Sequence, residues 1–212
     1  MNFFRRRIRI ITGFSILLLG GAFLAYLAGG GIGVPTEFRE ARLRGALVAQ
    51  SIVSLSKESQ NTLEEINRLD RAGRYAEALD LTTGLTHKNE ELRAKAADLS
   101  REVEIMTKSL AQVPDTNAQQ AALSSISSRL AMINHLISYS QRFEELLAVL
   151  RGKFEGERVP NARPVNTIIS DINLEITAIN NFDTEAQKAI DSFDTIIGEK
   201  ATPTSSATST AK

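Results

Sequence analysis

Two histidines and a run of alternating polar residues are the groups in this 212-residue sequence whose spacing could bind a metal ion. His87 and Glu91 lie four residues apart, which places both side chains on one face of a helix. Two ligands do not close a metal site, so a solvent-exposed polar face is the preferred interpretation. His135 follows Asn134 in an apolar stretch, where it either hydrogen-bonds within a core or points outward, and neither role is catalytic.

The alternating polar residues are spaced like the first ligands of a calcium-binding loop: Asp171, Asn173, Glu175 and Thr177. Such a loop requires a glycine where Ile176 stands and a glutamate where Phe182 stands. The isoleucines of this segment also fit the helical period of about 3.6 residues. A solvated helix face is therefore preferred over a calcium site.

Other catalytic arrangements are missing from the sequence. It contains no cysteine, which excludes thiol catalysis, cysteine-ligated zinc and iron–sulfur clusters. No phosphate-binding Gly-Lys-Ser/Thr loop, Gly-x-Ser-x-Gly elbow or His-Glu-x-x-His helix occurs, and neither histidine has the Glu-x-x-His spacing of a di-iron bundle. We therefore expect no enzymatic activity, no cofactor and no metal.

Charge is distributed unevenly along the chain. Between residues 165 and 197, Lys188 is the one basic residue beside six acidic residues: Asp171, Glu175, Asp183, Glu185, Asp191 and Asp194. An acidic stripe argues against nucleic acid as a partner, because phosphates require basic contacts. The stripe is a candidate face for a basic protein partner, and an ordinary solvated surface is the alternative interpretation.

The N-terminus has the pattern of a membrane anchor. A basic flank over residues 1–9 carries four arginines, Arg5, Arg6, Arg7 and Arg9, and is followed by 27 residues without a charge, 10–36. The most apolar part, residues 10–28, forms about 29 Å of helix, which matches the hydrocarbon thickness of a bilayer. We predict a transmembrane signal-anchor helix with a glycine-rich hinge over residues 10–34.

Processing and orientation have alternatives. Ala28 and Gly30 are small residues that suit a signal-peptide cleavage site, although the apolar core of such a signal normally spans only about 7 to 15 residues. The basic flank favours a cytoplasmic N-terminus, but a second basic group follows the apolar segment: Arg39, Arg42 and Arg44. We expect a retained single-pass anchor in the cytoplasmic membrane of a prokaryote, with the N-terminus inside and the remaining chain outside.

Small residues recur at every fourth position of this segment: Gly21, Ala25, Gly29 and Gly33. This spacing lets two helix backbones approach closely in lipid, so the four residues are a candidate helix-dimer face. The alternative interpretation is that small residues are common in membrane helices.

Beyond the anchor, apolar residues recur with helical periodicity, and no segment sustains the alternation of a β-strand. We therefore predict an all-α fold: an elongated, coiled-coil-like antiparallel four-helix bundle over residues 37–197. The helices are expected at about 38–71, 75–112, 116–156 and 164–197. A disordered Ser/Thr-rich tail is predicted over residues 198–212, which are too poor in apolar side chains to pack.

Several residues set the expected packing and boundaries of these helices. Thr36 and Thr116 are the predicted N-caps, the latter in a capping box with Gln119, and Gly73 and Gly198 are the predicted stops. The third helix is predicted to bury a stripe with steps of mostly three and four: Ile126, Leu130, Ile133, Ile137, Phe143, Leu147, Leu150 and Phe154.

Residues 71–79, Arg-Ala-Gly-Arg-Tyr-Ala-Glu-Ala-Leu, resemble the turn of a tetratricopeptide repeat. The resemblance implies a tight helical hairpin at Gly73, although no second copy follows at the repeat period of about 34 residues. An anchor followed by a four-helix bundle is also similar in plan to the sensor region of bacterial chemoreceptors.

These patterns favour a bitopic membrane protein whose bundle acts outside the cytoplasmic membrane as a structural spacer or protein-interaction module. One alternative is an extracytoplasmic ligand-binding or sensory bundle coupled to another membrane protein, with Ser59, Thr62 and Ser140 lining a polar gap between helices. Another is a membrane-tethered cytoplasmic adaptor, which requires the reverse orientation. The expected partners are the membrane and either another protein or a second copy of the chain.

Overall fold

Four long helices form an antiparallel bundle in the computed structural model, which describes residues 33–157 and 159–201. The helices are α1 (Thr36–Arg71), α2 (Tyr75–Ser109), α3 (Thr116–Glu155) and α4 (Val165–Ala201), and a short 3-10 turn, Leu110–Gln112, follows α2. No strand occurs within these two ranges. The predicted all-α class and helical bundle are confirmed.

Contacts between side chains show that neighbouring helices run antiparallel. Arg44 near the start of α1 reaches Glu102 near the end of α2, whereas Glu58 further along α1 reaches Lys88 earlier in α2. Two ion pairs, Arg93–Glu144 and Arg42–Asp194, connect α2 with α3 and α1 with α4. The Ser125 hydroxyl connects α3 with α4 by donating to the Ala186 carbonyl oxygen. With 35 to 40 residues each, the helices make a rod of about 50 to 60 Å.

The bundle has two distinct ends. At one end, which we call the base, α1 begins, α2 connects to α3, and α4 ends; at the other, the tip, α1 turns into α2 and α3 connects to α4. Phe38 and Phe193 close the base, with ring centroids 5.3 Å apart. Gly33 also packs there, since a Cβ on it would lie 3.3 Å from Cγ of Pro114.

The predicted buried stripe of α3 is partly wrong. Ile126, Ile133 and Phe143 are buried, but Leu130 and Ile137 are 43% and 42% exposed. The structure buries instead a second set of side chains: Met132, Leu136, Tyr139 and Leu146. A stripe at seven-residue spacing stays buried along α3: Ile126, Ile133, Ser140, Leu147 and Phe154. The core lies on the side of this stripe that residues three positions later occupy, such as Leu136 and Phe143, so Leu130 and Ile137, four positions later, fall on the outer side.

Both predicted N-caps are wrong. Thr36 is the first residue of α1, which follows Pro35 without a side-chain cap. Asp115, rather than Thr116, caps α3, because its Oδ1 accepts a hydrogen bond from the backbone N–H of Ala118 at 2.8 Å. An aspartate in extended backbone conformation is among the best residues for this position.

Glycines end two of the helices. Gly73 follows the end of α1 with φ +71°, and Gly156 follows α3 with φ +75°, so both have the left-handed conformation that favours glycine. The prediction for Gly73 is confirmed. Gly198 does not end α4, which continues to Ala201; an interior glycine costs a helix only about 1 kcal/mol.

Within residues 33–157 and 159–201, no helix combines the length and the apolar character needed to cross a membrane. The predicted transmembrane helix, the four flanking arginines and three of the small residues, Gly21, Ala25 and Gly29, lie outside the described residues, as does the tail from residue 202. Gly33, the fourth small residue, lies in a turn with φ +104° before α1 begins.

Candidate functional site

The two histidines lie in different environments. Nδ1 of His87 is 3.4 Å from Oε2 of Glu90, and both side chains are well exposed on α2. His135 is half-buried between α3 and α4, where its Nδ1 lies 2.7 Å from Oε2 of Glu175 and its ring stacks on Phe182. In the described ranges, no three histidine, aspartate or glutamate side chains are grouped as a metal site requires.

A polar network crosses the seam between α2 and α3. Asn89 and Ser140 are 4% and 0% exposed and exchange two hydrogen bonds. Nε of Arg93 donates to the Ser140 hydroxyl at 2.7 Å, and the same guanidinium contacts Glu144. The hydroxyl of Ser140 is therefore engaged by protein groups, as expected of a buried polar group.

The other predicted lining residues of a polar gap behave differently. Oγ1 of Thr62 donates to the carbonyl oxygen of Glu58 in its own helix at 2.9 Å. Ser59 is buried, at 5% exposure. Serine and threonine commonly satisfy their hydroxyls in this way inside helices.

A charged cluster lies between α1, α3 and α4. Nε of Arg129 is buried and has no acceptor within hydrogen-bond distance. Burial lowers the pKa of the Arg129 guanidinium, while Asp183 opposes that effect and Arg42 adds to it. Burial also raises the pKa of Asp183, against the attraction of Arg129. Arg42 itself binds Asp194 through both Nη atoms, at 2.6 and 2.7 Å.

The six acidic residues of α4 do not share one environment. Four of them lie near basic side chains, in the pairs Asp171–Arg163, Glu175–His135, Asp183–Arg129 and Asp194–Arg42. Glu185 and Asp191 are exposed, and Asp191 accepts a hydrogen bond from Gln187 at 2.7 Å. An acidic face for a basic partner stays a prediction.

Arg163 organises a second ionic cluster at the tip. Its guanidinium donates two hydrogen bonds to the Glu145 carboxylate, at 2.7 and 2.9 Å, and one to Asp171 at 2.8 Å. The hydrogen bonds from Arg163 hold the pKa of Glu145 below its usual range. The cluster ties the α3–α4 loop to both helices.

Three large apolar side chains stand in line on the outer face of α3. Leu123, Leu130 and Ile137 are seven residues apart and 52%, 43% and 42% exposed. Sequence reasoning missed this exposed line because it assigned Leu130 and Ile137 to the core. The sequence does contain a signal for it: α3 has apolar residues on more than one face, and a helix at the surface of a bundle cannot bury all of its faces.

Comparison with known proteins adds no relative: no family model, no curated protein and no solved structure matches the chain. The class of protein that the fold defines is a four-helix bundle, and fold alone does not specify function.

Proposed function

We propose that this chain is a single-pass membrane protein whose helical bundle acts as a spacer or protein-interaction module outside the cytoplasmic membrane. One observation carries the proposal: α1 begins at Thr36, directly after an uncharged segment long enough to span a bilayer. The base of the rod would then face the membrane and the tip would stand about 50 to 60 Å away from it.

The interior of the bundle supports a mechanical or binding role over a catalytic one. The buried pair Asn89 and Ser140 is hydrogen-bonded between helices, and His135 contacts Glu175 and Phe182. Such groups fix helix register and are not poised to act on a substrate.

The topology can be tested with a protease-sensitive tag fused after Lys212, probed in intact cells and after permeabilisation. We expect the tag to be digested in intact cells and the full-length chain to sediment with membranes. A cytoplasmic marker must stay protected in the same cells. Protection of the tag until permeabilisation would place the bundle inside and favour the cytoplasmic adaptor instead.

A second candidate function is that of an extracytoplasmic sensory bundle, and the buried Nε of Arg129 favours it. Asp183 is the partly buried carboxylate near this guanidinium. A buried N–H without an acceptor lowers the stability of the fold unless a bound group accepts its hydrogen bond. A small anion that does so should raise the melting temperature of the full chain. A screen of phosphate and small carboxylates tests this, with Arg129→Gln as the variant in which any shift must vanish.

A further inference from the structure

The outer face of α3 has the pattern of an unpaired coiled-coil seam. One line of exposed residues on it alternates in steps of four and three, with apolar and uncharged polar side chains in turn: Leu123, Ser127, Leu130, Asn134, Ile137 and Gln141. This is the spacing by which two helices pack side chains into each other's grooves. A polar residue such as asparagine at such a seam sets register and the number of helices, at some cost in stability.

Over residues 116–141, the outer face of α3 has no exposed charge, and the next position of the spacing, Glu144, is charged and paired with Arg93. Between residues 116 and 141, all of which the structure describes, the exposed positions of α3 carry no charged side chain, and Arg129 and His135 are half-buried. The neighbouring helix α2 exposes charged residues instead, among them Glu90, Glu91, Arg101 and Glu104. Exposed apolar groups in a charge-free setting are typical of interaction surfaces.

The partner that fits this surface is a second copy of the chain. A charged partner would gain no ion pair there and would lose the hydration of its own charges. An identical face meets itself without repulsion, and a twofold interface requires such self-complementarity. In a parallel pair, Asn134 of each copy would meet Asn134 of the other, so that each buried amide has a partner.

We propose that α3 packs in parallel against α3 of a second copy along the line formed by Leu123, Leu130 and Ile137. The parallel direction rests on the proposed function, because two chains anchored through the segment before Gly33 in one membrane would point the same way. The dimer places the two rods side by side and holds their bases at the membrane.

Disulfide crosslinking tests the pairing directly, because the chain has no cysteine of its own. Leu123→Cys and Ile137→Cys are introduced singly into the full chain, and membranes from cells are oxidised with copper phenanthroline. We expect each variant to give a band at twice the 23.2 kDa chain mass. Ala97→Cys, exposed on α2, is the matched control and should stay monomeric.

The two positions also report direction. They lie about 21 Å apart along α3, so in an antiparallel pair centred on Leu130 neither single variant would crosslink to itself, and only co-expressed Leu123→Cys and Ile137→Cys chains would give the dimer band. That result would overturn the proposal. So would crosslinked bands that appear only at masses other than twice the chain mass, or a lack of any dimer in chains that are folded and membrane-bound. Sedimentation of the same samples reports on the anchor separately. A chain found in the soluble fraction contradicts the proposed function, and oxidation of that fraction still shows whether Leu123→Cys and Ile137→Cys each give the dimer.

A charge variant gives a second readout. Leu130→Asp in the Ile137→Cys chain should lower the disulfide-linked fraction about tenfold, because two carboxylates would face each other in the seam. Thr83→Asp on the exposed face of α2 should leave it unchanged. Equal yields from both variants would contradict packing through Leu130.

Discussion

Asn89 and Ser140 bind each other twice across the seam of α2 and α3. The amide nitrogen of Asn89 donates to the Ser140 carbonyl oxygen at 3.0 Å, and the Ser140 hydroxyl donates to Oδ1 of Asn89 at 2.9 Å. A slip of one helix along the other would separate both bonds and leave buried polar groups unpaired. The pair therefore fixes the register of the two helices.

Ser140→Ala should lower the free energy of unfolding by about 1 to 3 kcal/mol, because Oδ1 of Asn89 stays buried and loses its donor. Urea unfolding of the full chain in mild detergent, followed by helix circular dichroism, measures the change. Ser124→Ala is the control: that hydroxyl is exposed and bonds the Gln120 carbonyl oxygen of its own helix, so a change within about 0.5 kcal/mol is expected. Equal losses in the two variants would count against the register role.

Gly73→Ala and Gly84→Ala should change stability in opposite directions. Neither Cβ would meet an atom within 4 Å, so only the backbone differs. Gly73 has φ +71°, where alanine is strained by about 1 to 2 kcal/mol. Gly84 lies inside α2, where alanine should stabilise by up to about 1 kcal/mol. Melting temperatures that move in the same direction would contradict this assignment.

Arg163→Gln should destabilise the bundle in a pH-dependent way. The folded pKa of Glu145 is lowered by its hydrogen bonds with Arg163, so its stabilising contribution is complete above the ordinary value of 4.5 and is lost as the pH falls through the lower folded pKa. Wild type should therefore melt higher than the variant at pH 7, and the difference should narrow below pH 4.5.

Melting curves from pH 7 to about pH 3 follow this difference. As a control, Arg163→Gln is also introduced into a Glu145→Gln chain. The titrating carboxyl is absent there, so the melting-temperature difference made by Arg163→Gln should depend much less on pH. A difference that stays constant over the whole pH range would show that Glu145 is not its source.

Phe193→Ala should cost about 3 to 5 kcal/mol of unfolding free energy, because the ring is 2% exposed and packs on Phe38 at the base. Leu174→Ala on the same helix removes a side chain that is 67% exposed and should change stability little. The same urea titration compares them. A small loss for Phe193→Ala would mean that the base can close without this contact.

Much of the architecture follows from local sequence signals. Helix periodicity predicts the four helices, and Gly73 marks the first hairpin because only glycine adopts its conformation easily. The sequence misplaces the N-cap of α3 by one residue because Asp115 and Thr116 are adjacent and both suit the position, and local sequence does not rank them reliably.

Contacts between distant residues could not be predicted from the sequence. Asn89 and Ser140 are 51 residues apart, and their pairing depends on how α2 and α3 rotate against each other. The same rotation decides which apolar stripe of α3 is buried, so it also determines that Leu130 is exposed. Periodicity identifies candidate faces of a helix, but packing selects among them.

The arrangement of the helices along the chain predicts which part of the bundle folds last. Most seams join helices that follow each other in the chain, and such local contacts allow fast folding. The contact of Phe38 with Phe193 instead joins the first helix to the last, so the long intervening chain must be brought together before it forms. We therefore expect the base to close last on folding and to open first on unfolding, so that Phe193→Ala accelerates unfolding and leaves the folding rate nearly unchanged.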